Sequence, residues 1–305
     1  YSVLDTISAS TTASMIASSL SVLSKFNLKQ NGYLKALYET IKSRLQDYLQ
    51  ENLASSFAIM NWLQKAASVV GDAEAALSFN KIVNKAFAES VFSKPQSKET
   101  SEFWSSIRTS AFFDTVATTL TNTAVLAYYD EKISKFTCDS WVFFLNIYLA
   151  CAQKARKYSE AELEPVVGRG MYSCYRGENA DNALQICDLV QKNGRGVLKA
   201  LLLKIAENKD ALYTSFCVDL LLQVSPDLVS NDIKTMQFCK ELQIQNQGQA
   251  CIAVLQHRSK MLRNAAEQER FINTIVNEQA FVSLDLTGVF EVLDKTILVS
   301  DKGNA

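Results

Sequence analysis

The chain has 305 residues, 48% of them hydrophobic, and carries 31 Lys and Arg against 32 Asp and Glu. This hydrophobic content is enough for a substantial core, which excludes wholesale disorder, and the balanced charge lacks the basic excess of a nucleic-acid-binding domain. No window of 18 apolar residues occurs, so the sequence predicts no membrane-spanning helix. Only three prolines interrupt a sequence rich in Ala, Leu, Lys, Gln and Glu, which predicts an all-α protein.

The first segment begins with Tyr1, so we expect the native start, and any targeting signal with it, to be missing. This segment carries Asp5 and no base before Lys25, a pattern that fits neither a transit peptide nor the start of a signal peptide. Its high Ser and Thr content predicts a helix of weak intrinsic propensity, which we expect to act as a terminal cap.

The clearest amphipathic helix follows over 33–53, where apolar residues recur at the i, i+3, i+4, i+7 spacing of one helix face. Two more helices are predicted over about 54–70 and after Gly71, both with wide apolar faces. The polar stretch after them contains Pro95 and predicts a long loop or a boundary between subdomains. The predicted organisation is an N-terminal helical segment at 1–92, a polar loop or boundary at 93–102, a helical-repeat array at 103–294 and a C-terminal tail at 295–305.

Beyond residue 102, helical patterns follow in close order with short connections, and strand signals are nearly absent. Because short connections make successive helices antiparallel neighbours, we expect the whole chain to contain at least twelve helices stacked in antiparallel pairs. The helices of this part are predicted at about 103–130, 138–157, 159–175, 179–192, 196–206, 209–223, 229–244, 247–262, 265–281 and 284–294.

Three segments each begin with a glycine at a predicted helix–helix turn and carry an alanine five or six residues later. The glycines are 106 and 71 residues apart, near three and two steps of about 35, the length of a tetratricopeptide-type repeat. We expect each glycine to adopt φ > 0 at the end of the preceding helix, and each alanine to be buried where the next helix packs closely. The three predicted helix-pair contacts are Gly71 with Ala76, Gly177 with Ala183, and Gly248 with Ala253.

These segments resemble tetratricopeptide and pentatricopeptide repeats. The stretch "VVGDAEAALSFNKI" (69–82) is similar to a tetratricopeptide turn and second helix, and "YRGENADNALQICDLVQKNG" (175–194) is similar to a pentatricopeptide second helix. The resemblance, which covers about a third of the chain, implies a right-handed superhelical array of antiparallel helix pairs. In the intervening registers Ser106, Trp141 and Leu212 stand where glycine is expected, so an irregular helical bundle is the alternative fold.

Few residues suit catalysis or metal binding. His257 is the one histidine, and no Ser or Cys lies in a recognisable local motif for a nucleophile. The Cys and His spacings match no zinc pattern, and the glycines form no phosphate-binding loop. We therefore expect a protein that is not an enzyme, with no cofactor, no metal and no small-molecule substrate. The seven cysteines are expected to be reduced core thiols of an intracellular protein, in the cytoplasm or nucleus.

Between residues 154 and 204 there are nine bases and six acids. Three arginines of this region fall near predicted turns, and we expect them to line one groove that meets an acidic peptide or phosphates. A second basic run, in "HRSKMLR", could extend this groove, although a solvated surface of mixed charge is the simpler alternative. The residues predicted to bind a partner are Arg169, Arg176, Arg195, Lys199, Arg258 and Arg263.

Two function classes follow from these patterns. The first is a scaffold whose stacked helices bind a protein or peptide, as a subunit or fragment of a larger intracellular assembly. The second is a pentatricopeptide-like protein that binds single-stranded RNA. The sequence pI of about 6.0 favours the protein partner over RNA.

Overall fold

The computed structural model describes residues 16–17, 20, 33–45, 53–193, 196–207 and 209–293. These residues are almost entirely helical and contain no β-strand, which confirms the all-α prediction. The chain divides into two compact units, Tyr1–Lys157 and Tyr158–Ala305. The division falls after residue 157 and not at the polar stretch 93–102, where only residues 94–97 lie outside helices.

The first unit consists of helices joined by short turns, and polar side chains cap four of the eight helices in its described residues. Ser97 caps the helix that begins at Lys98 by accepting a hydrogen bond from the Thr100 N–H, and Thr137 caps the helix that begins at Cys138 in the same way through the Ser140 N–H. Its helices are α1 (Tyr33–Ser43), α2 (Leu53–Val70), α3 (Ala73–Ser93), α4 (Lys98–Arg108), α5 (Phe113–Leu120), α6 (Thr123–Tyr128), α7 (Asp130–Ile133) and α8 (Cys138–Lys154).

The single helix predicted over 103–130 is wrong, because the chain forms the four short helices α4 to α7 there. Ser110 and Thr121 stand at the breaks, and their hydroxyls donate to the carbonyls of Ile107 and Ala117, at 2.9 and 2.8 Å. Asn122 then caps α6 through the Ala124 N–H. Such side chains offer the backbone alternative partners and so end helices that apolar periodicity alone would continue.

Aromatic side chains dominate the core of the first unit. Phe144 of α8 is fully buried and contacts Phe92, Phe136, Trp141 and Tyr148, with ring centroids 5.4 to 5.7 Å apart. A second cluster joins α2, α3, α4 and the start of α5 through Phe57, Phe87, Phe103, Trp104, Phe112 and Phe113. All three tryptophans of the chain, Trp62, Trp104 and Trp141, are buried in this unit.

The second unit has helices of 10 to 17 residues and a core of aliphatic side chains and cysteines. Its helices are α9 (Glu160–Arg176), α10 (Ala180–Asn193), α11 (Val197–Ala206), α12 (Ala211–Val224), α13 (Asp232–Ile244), α14 (Gly248–Met261) and α15 (Ala265–Val276), with 3-10 turns at Pro226–Val229 and Gln279–Phe281 and a helical stretch at 287–293. In this unit α9 contacts both α10 and α11, α10 contacts both α11 and α12, and α12 contacts both α11 and α14.

The three turns marked by glycine have the same backbone form, but glycine supplies the left-handed residue in only one of them. Gly71 has φ +80°, whereas Glu178 (φ 51°) and Asn246 (φ 58°) take this conformation in the other two turns. Gly177 instead ends α9 with φ −88°. Gly248 begins α14, where an added Cβ would lie 3.1 Å from the Leu284 side chain.

Each turn is closed by a hydrogen bond that spans five residues. The N–H groups of Asp72, Asn179 and Gln247 donate to the carbonyls of Ala67, Cys174 and Leu242, at 3.0, 2.9 and 2.8 Å. This bond is the signature of a helix end that reverses at a left-handed residue. The residue that donates it is also the N-cap or lies at the start of the next helix, so one turn ends a helix and begins another.

Two of the three alanines that we expected to be buried are buried. Ala183 has no exposed surface and Ala253 is 5% exposed, whereas Ala76 is half-buried and its neighbour Ala75 is the buried residue. We therefore expect Ala183→Leu and Ala253→Leu each to lower the free energy of unfolding by about 1–3 kcal/mol, because the larger side chain overpacks the helix contact. Ala76→Leu should cost less. Urea unfolding of the three variants measures these losses in the free energy of unfolding. Equal losses in all three variants would contradict the prediction.

The aromatic core of the first unit generates a second prediction with an adjacent control. Phe144→Ala should lower the free energy of unfolding by about 3–5 kcal/mol, since it leaves a cavity among four rings. Phe143 is 46% exposed, and Phe143→Ala should cost far less. Chemical denaturation followed by tryptophan fluorescence compares the two variants, and a similar loss in both would show that this ring cluster does not dominate the core.

Candidate functional site

A groove of about 560 Å³ opens on the second unit, where α11 ends, α12 begins and the α13–α14 turn approaches residues 283–285. Asp210 caps α12 by accepting a hydrogen bond from the Tyr213 N–H at 2.9 Å, which places Lys209 at the groove edge. The floor is apolar and consists of Leu203, Ala206, Ala250, Ile252 and Leu284. The rim is polar and carries Lys209, Gln245, Asn246, Gln247 and Gln249, and the buried Thr214 also lines the groove.

A smaller cleft of about 210 Å³ adjoins this groove, and Lys209 lines both. Arg169 and Tyr172 of α9 form one wall, and Ile205 and Tyr213 lie opposite. Tyr172, which is 47% exposed, packs against buried Tyr213 with ring centroids 5.4 Å apart. The exposed ring of Tyr172 therefore forms a wall of the cleft, and its contact with the buried ring of Tyr213 holds it in place.

Most charges in the groove have partners within the chain. Glu207 accepts a hydrogen bond from Lys204 at 2.6 Å, and Asp285 accepts one from the Thr287 N–H at 3.1 Å. Hydrogen bonds from the side chain and backbone of Thr287 lower the pKa of Asp285. Lys209 is exposed and forms no ion pair with another residue in the described part of the chain. The groove thus offers a cation and several amides around an apolar floor.

The six residues predicted to bind a partner do not share one groove. Arg169 lines the cleft, while Arg176 is exposed at the end of α9 and Arg263 is exposed just after α14. Arg195 lies outside the described residues. Their role in binding stays a prediction.

The other two bases form ion pairs inside the second unit. Lys199 pairs with Glu241 at 2.8 Å and lies over the ring of Phe238, 4.6 Å from its centroid. Arg258 is only 15% exposed and donates twice to Asp232, at 3.1 and 2.8 Å. Both cations are neutralised by a carboxylate of the same unit, which leaves them less available to an anionic partner.

Sequence reasoning missed most of the groove residues. The stretch "QNQGQ" at 245–249 is rich in amides, but in the sequence it indicates only a turn at its glycine. Leu203 and Leu284 read as ordinary apolar residues, and only the fold brings them to the same floor. The net charge of the second unit, in contrast, can be counted from the sequence. Residues 158–305 carry 15 Lys and Arg against 19 Asp and Glu, a net charge of −4.

His257 lies on α14 and faces α12. Its Nδ1 is 2.7 Å from Asp219 Oδ1, and both side chains are partly exposed. A carboxylate in this position fixes the orientation of the imidazole ring. This hydrogen bond joins α14 to α12 and accounts for the placement of His257.

A serine, a lysine and a glutamate meet on the surface of the first unit. Lys132 of α7 donates to Glu89 and, at 2.8 Å, to the hydroxyl of Ser93. Glu89 has a lowered pKa because Lys132 donates to it, with a further hydrogen bond from Ser93. Ser93 also donates to Glu89, at 2.9 Å, so the three side chains form one surface hydrogen-bond network between α3 and α7.

The described residues match neither the pattern of a metal-binding cluster nor that of a membrane-spanning helix. They contain no group of three or more His, Cys, Asp or Glu side chains that could hold a metal ion. None of the helices in the described ranges is both long and apolar enough to span a membrane.

Comparison of the chain with protein-family models, with curated proteins and with solved structures gives no match.

A polar cluster at the first glycine turn joins α1 to the start of α3. Asp72 Oδ1 accepts from the Ala75 N–H at 3.1 Å, and its Oδ2 accepts from Tyr38 at 2.8 Å and Lys42 at 2.5 Å. These hydrogen bonds, chiefly that from Lys42, lower the pKa of Asp72 to about 2. Burial, reinforced by the bond to Asp72, raises the pKa of Tyr38 to about 12. The cluster ties α1 to the turn and is structural.

This cluster predicts an acid-dependent loss of stability. Because the folded-state pKa of Asp72 lies below the ordinary value of about 4, its carboxylate stabilises the folded chain above pH 4 and loses this effect as pH falls toward 2. Asp72→Asn should lower Tm at pH 6, and its difference from wild type should shrink between pH 4 and pH 2. Calorimetry of both proteins across this range is the measurement. A difference that is independent of pH would show that the cap, and not the charge, carries the effect.

Proposed function

We propose that this chain is a non-enzymatic helical scaffold that binds an extended peptide segment of a protein partner in the groove of the second unit. The groove carries the proposal, because it combines an apolar floor with a rim of side-chain amides. Amides both donate and accept hydrogen bonds and so suit the backbone of an extended peptide, while the floor suits apolar side chains. The partner would be the neighbouring subunit of a larger assembly.

The packing of the second unit supports a repeat array of the kind that the tetratricopeptide resemblance implies. Helices α9 and α10 each contact the next helix and the one after it, as in stacked antiparallel pairs. The turns that follow α9 and α13 share one backbone form and are 68 residues apart at their left-handed residues, Glu178 and Asn246. This spacing is close to two repeats of about 34 residues. We propose a right-handed superhelical array on this basis.

The charge of the second unit favours a peptide over RNA. Single-stranded RNA binding depends on phosphate contacts with Lys and Arg, and this unit has a net charge of −4 with Lys199 and Arg258 already in ion pairs. Lys209 at the groove edge favours a carboxylate on the bound peptide. Pentatricopeptide-like RNA binding is the alternative, and the net charge of this unit counts against it.

Site-specific photo-cross-linking tests the groove directly. A photoreactive residue replaces Gln249 on the groove rim, and in a matched protein it replaces Lys192, which is exposed in the same unit away from the groove. In a nuclease-treated cell extract, position 249 should capture one dominant protein and position 192 should not. Ile252→Glu, which places a charge in the floor, should reduce capture at position 249 while the circular dichroism spectrum stays helical.

Two results would overturn the proposal. Equal capture from positions 249 and 192 would mean that the groove is not the contact surface. Tight binding of single-stranded RNA at physiological salt, falling with a slope of about −0.7 in log K against log salt for each phosphate contact, would favour the RNA alternative. Arg169→Glu combined with Arg176→Glu and Arg195→Glu should then abolish that binding.

A further inference from the structure

Two of the seven cysteines face each other across a helix pair in the second unit. Cys239 lies on α13 and Cys251 on α14, and the turn at 245–247 joins the two helices. Neither residue has exposed surface. The Cys239 Sγ lies 3.9 Å from the backbone oxygen of Cys251, so the Cys239 side chain reaches the facing helix at Cys251. A disulfide between the two cysteines would join α13 to α14.

The environment of this pair differs from that of the other buried thiols. Burial alone raises the pKa of Cys151 to about 12, and burial is also the main cause that raises the pKa of Cys217 to about 12. Such thiols are inert because the thiolate is the reactive form. The pKa of Cys251 is instead lowered, chiefly because the Cys239 thiol donates to it, with a smaller contribution from the nearby Gln243 amide. Cys239 correspondingly keeps its proton.

We propose that Cys239 and Cys251 form an oxidisable pair that a peroxide converts to a disulfide between α13 and α14. The Cys251 sulfur attacks one peroxide oxygen, the O–O bond breaks, and the departing oxygen leaves as water after taking up a proton. The Cys239 sulfur then attacks the resulting sulfenic acid, loses its proton and displaces a second water. Two thiols lose two electrons in total, and the peroxide gains them.

The bridge would act on the proposed binding surface. Cys239 and Cys251 lie on either side of the α13–α14 turn, whose residues Gln245, Asn246 and Gln247 form part of the groove rim. A disulfide closes this short loop and restricts the conformations of the unfolded chain, which raises stability. Formation of this disulfide requires no binding partner, because only the two thiols and the peroxide react.

Peptide mapping after oxidation tests the proposal, since trypsin cuts between the two cysteines at Lys240. Cys239 falls in the peptide Thr235–Lys240 and Cys251 in the peptide Glu241–Arg258. The native protein is treated with hydrogen peroxide, its remaining thiols are alkylated after unfolding, and it is digested without reductant. The expected product is these two peptides joined, with a mass lower by two hydrogens than their sum, while Cys151 is recovered alkylated.

Two serine variants are the controls. Cys239→Ser and Cys251→Ser should each remove the joined peptides, and circular dichroism confirms that each variant is folded. Oxidised wild type should melt at a higher temperature than the reduced protein, and dithiothreitol should reverse the shift. The proposal is overturned if both peptides are recovered alkylated, if Cys251 is converted to sulfinic acid without a link, or if Cys217 joins Cys239 or Cys251 equally often.

Discussion

The fold depends on how helices end. Each helix leaves backbone N–H and carbonyl groups without partners at its two ends, and connections of two or three residues leave little room to satisfy them. In this chain a single left-handed residue closes one helix with a hydrogen bond across five residues, and the residue after it starts the next helix. The turns around Gly71, Glu178 and Asn246 all use this form. Compact reversal of this kind is what allows helices of ten to twenty residues to pack side by side.

The same turns determine what the surface offers a partner. A tight reversal exposes the side chains on either side of it, and at 245–249 these are amides followed by the start of α14. Gly248 lets the Leu284 side chain approach α14 closely, and this contact brings the C-terminal segment to the groove. The floor of the groove therefore depends on the packing of Leu284 against α14, whereas its rim consists of the amide side chains of the α13–α14 turn. Both the floor and the rim depend on residues at the ends of helices.

Much of the secondary structure could be predicted, because caps and apolar periodicity agree locally. Helices α10 and α11 begin and end within one residue of their predicted limits, and α12 within two. The helix predicted over 103–130 was wrong, since Ser110 and Thr121 break it through side-chain hydrogen bonds that hydrophobic periodicity does not register. The pairing of Arg258 with Asp232 and the floor of Leu203 and Leu284 join residues distant in sequence, which a single sequence does not reveal. The turn prediction found the right places but assigned the left-handed conformation to glycine in two turns where glutamate and asparagine adopt it.

The two units have cores of different chemistry, and this gives each unit its own optical and chemical reporter in the intact chain. All three tryptophans are buried in the aromatic core of the first unit, so intrinsic tryptophan emission follows the opening of that unit alone. Five of the six buried cysteines belong to the second unit, so the rate at which a thiol reagent labels Cys174, Cys187 and Cys217 follows its opening. Fluorescence and labelling recorded in one unfolding experiment would therefore show whether the two units open together or in sequence, without cutting the chain or adding a probe.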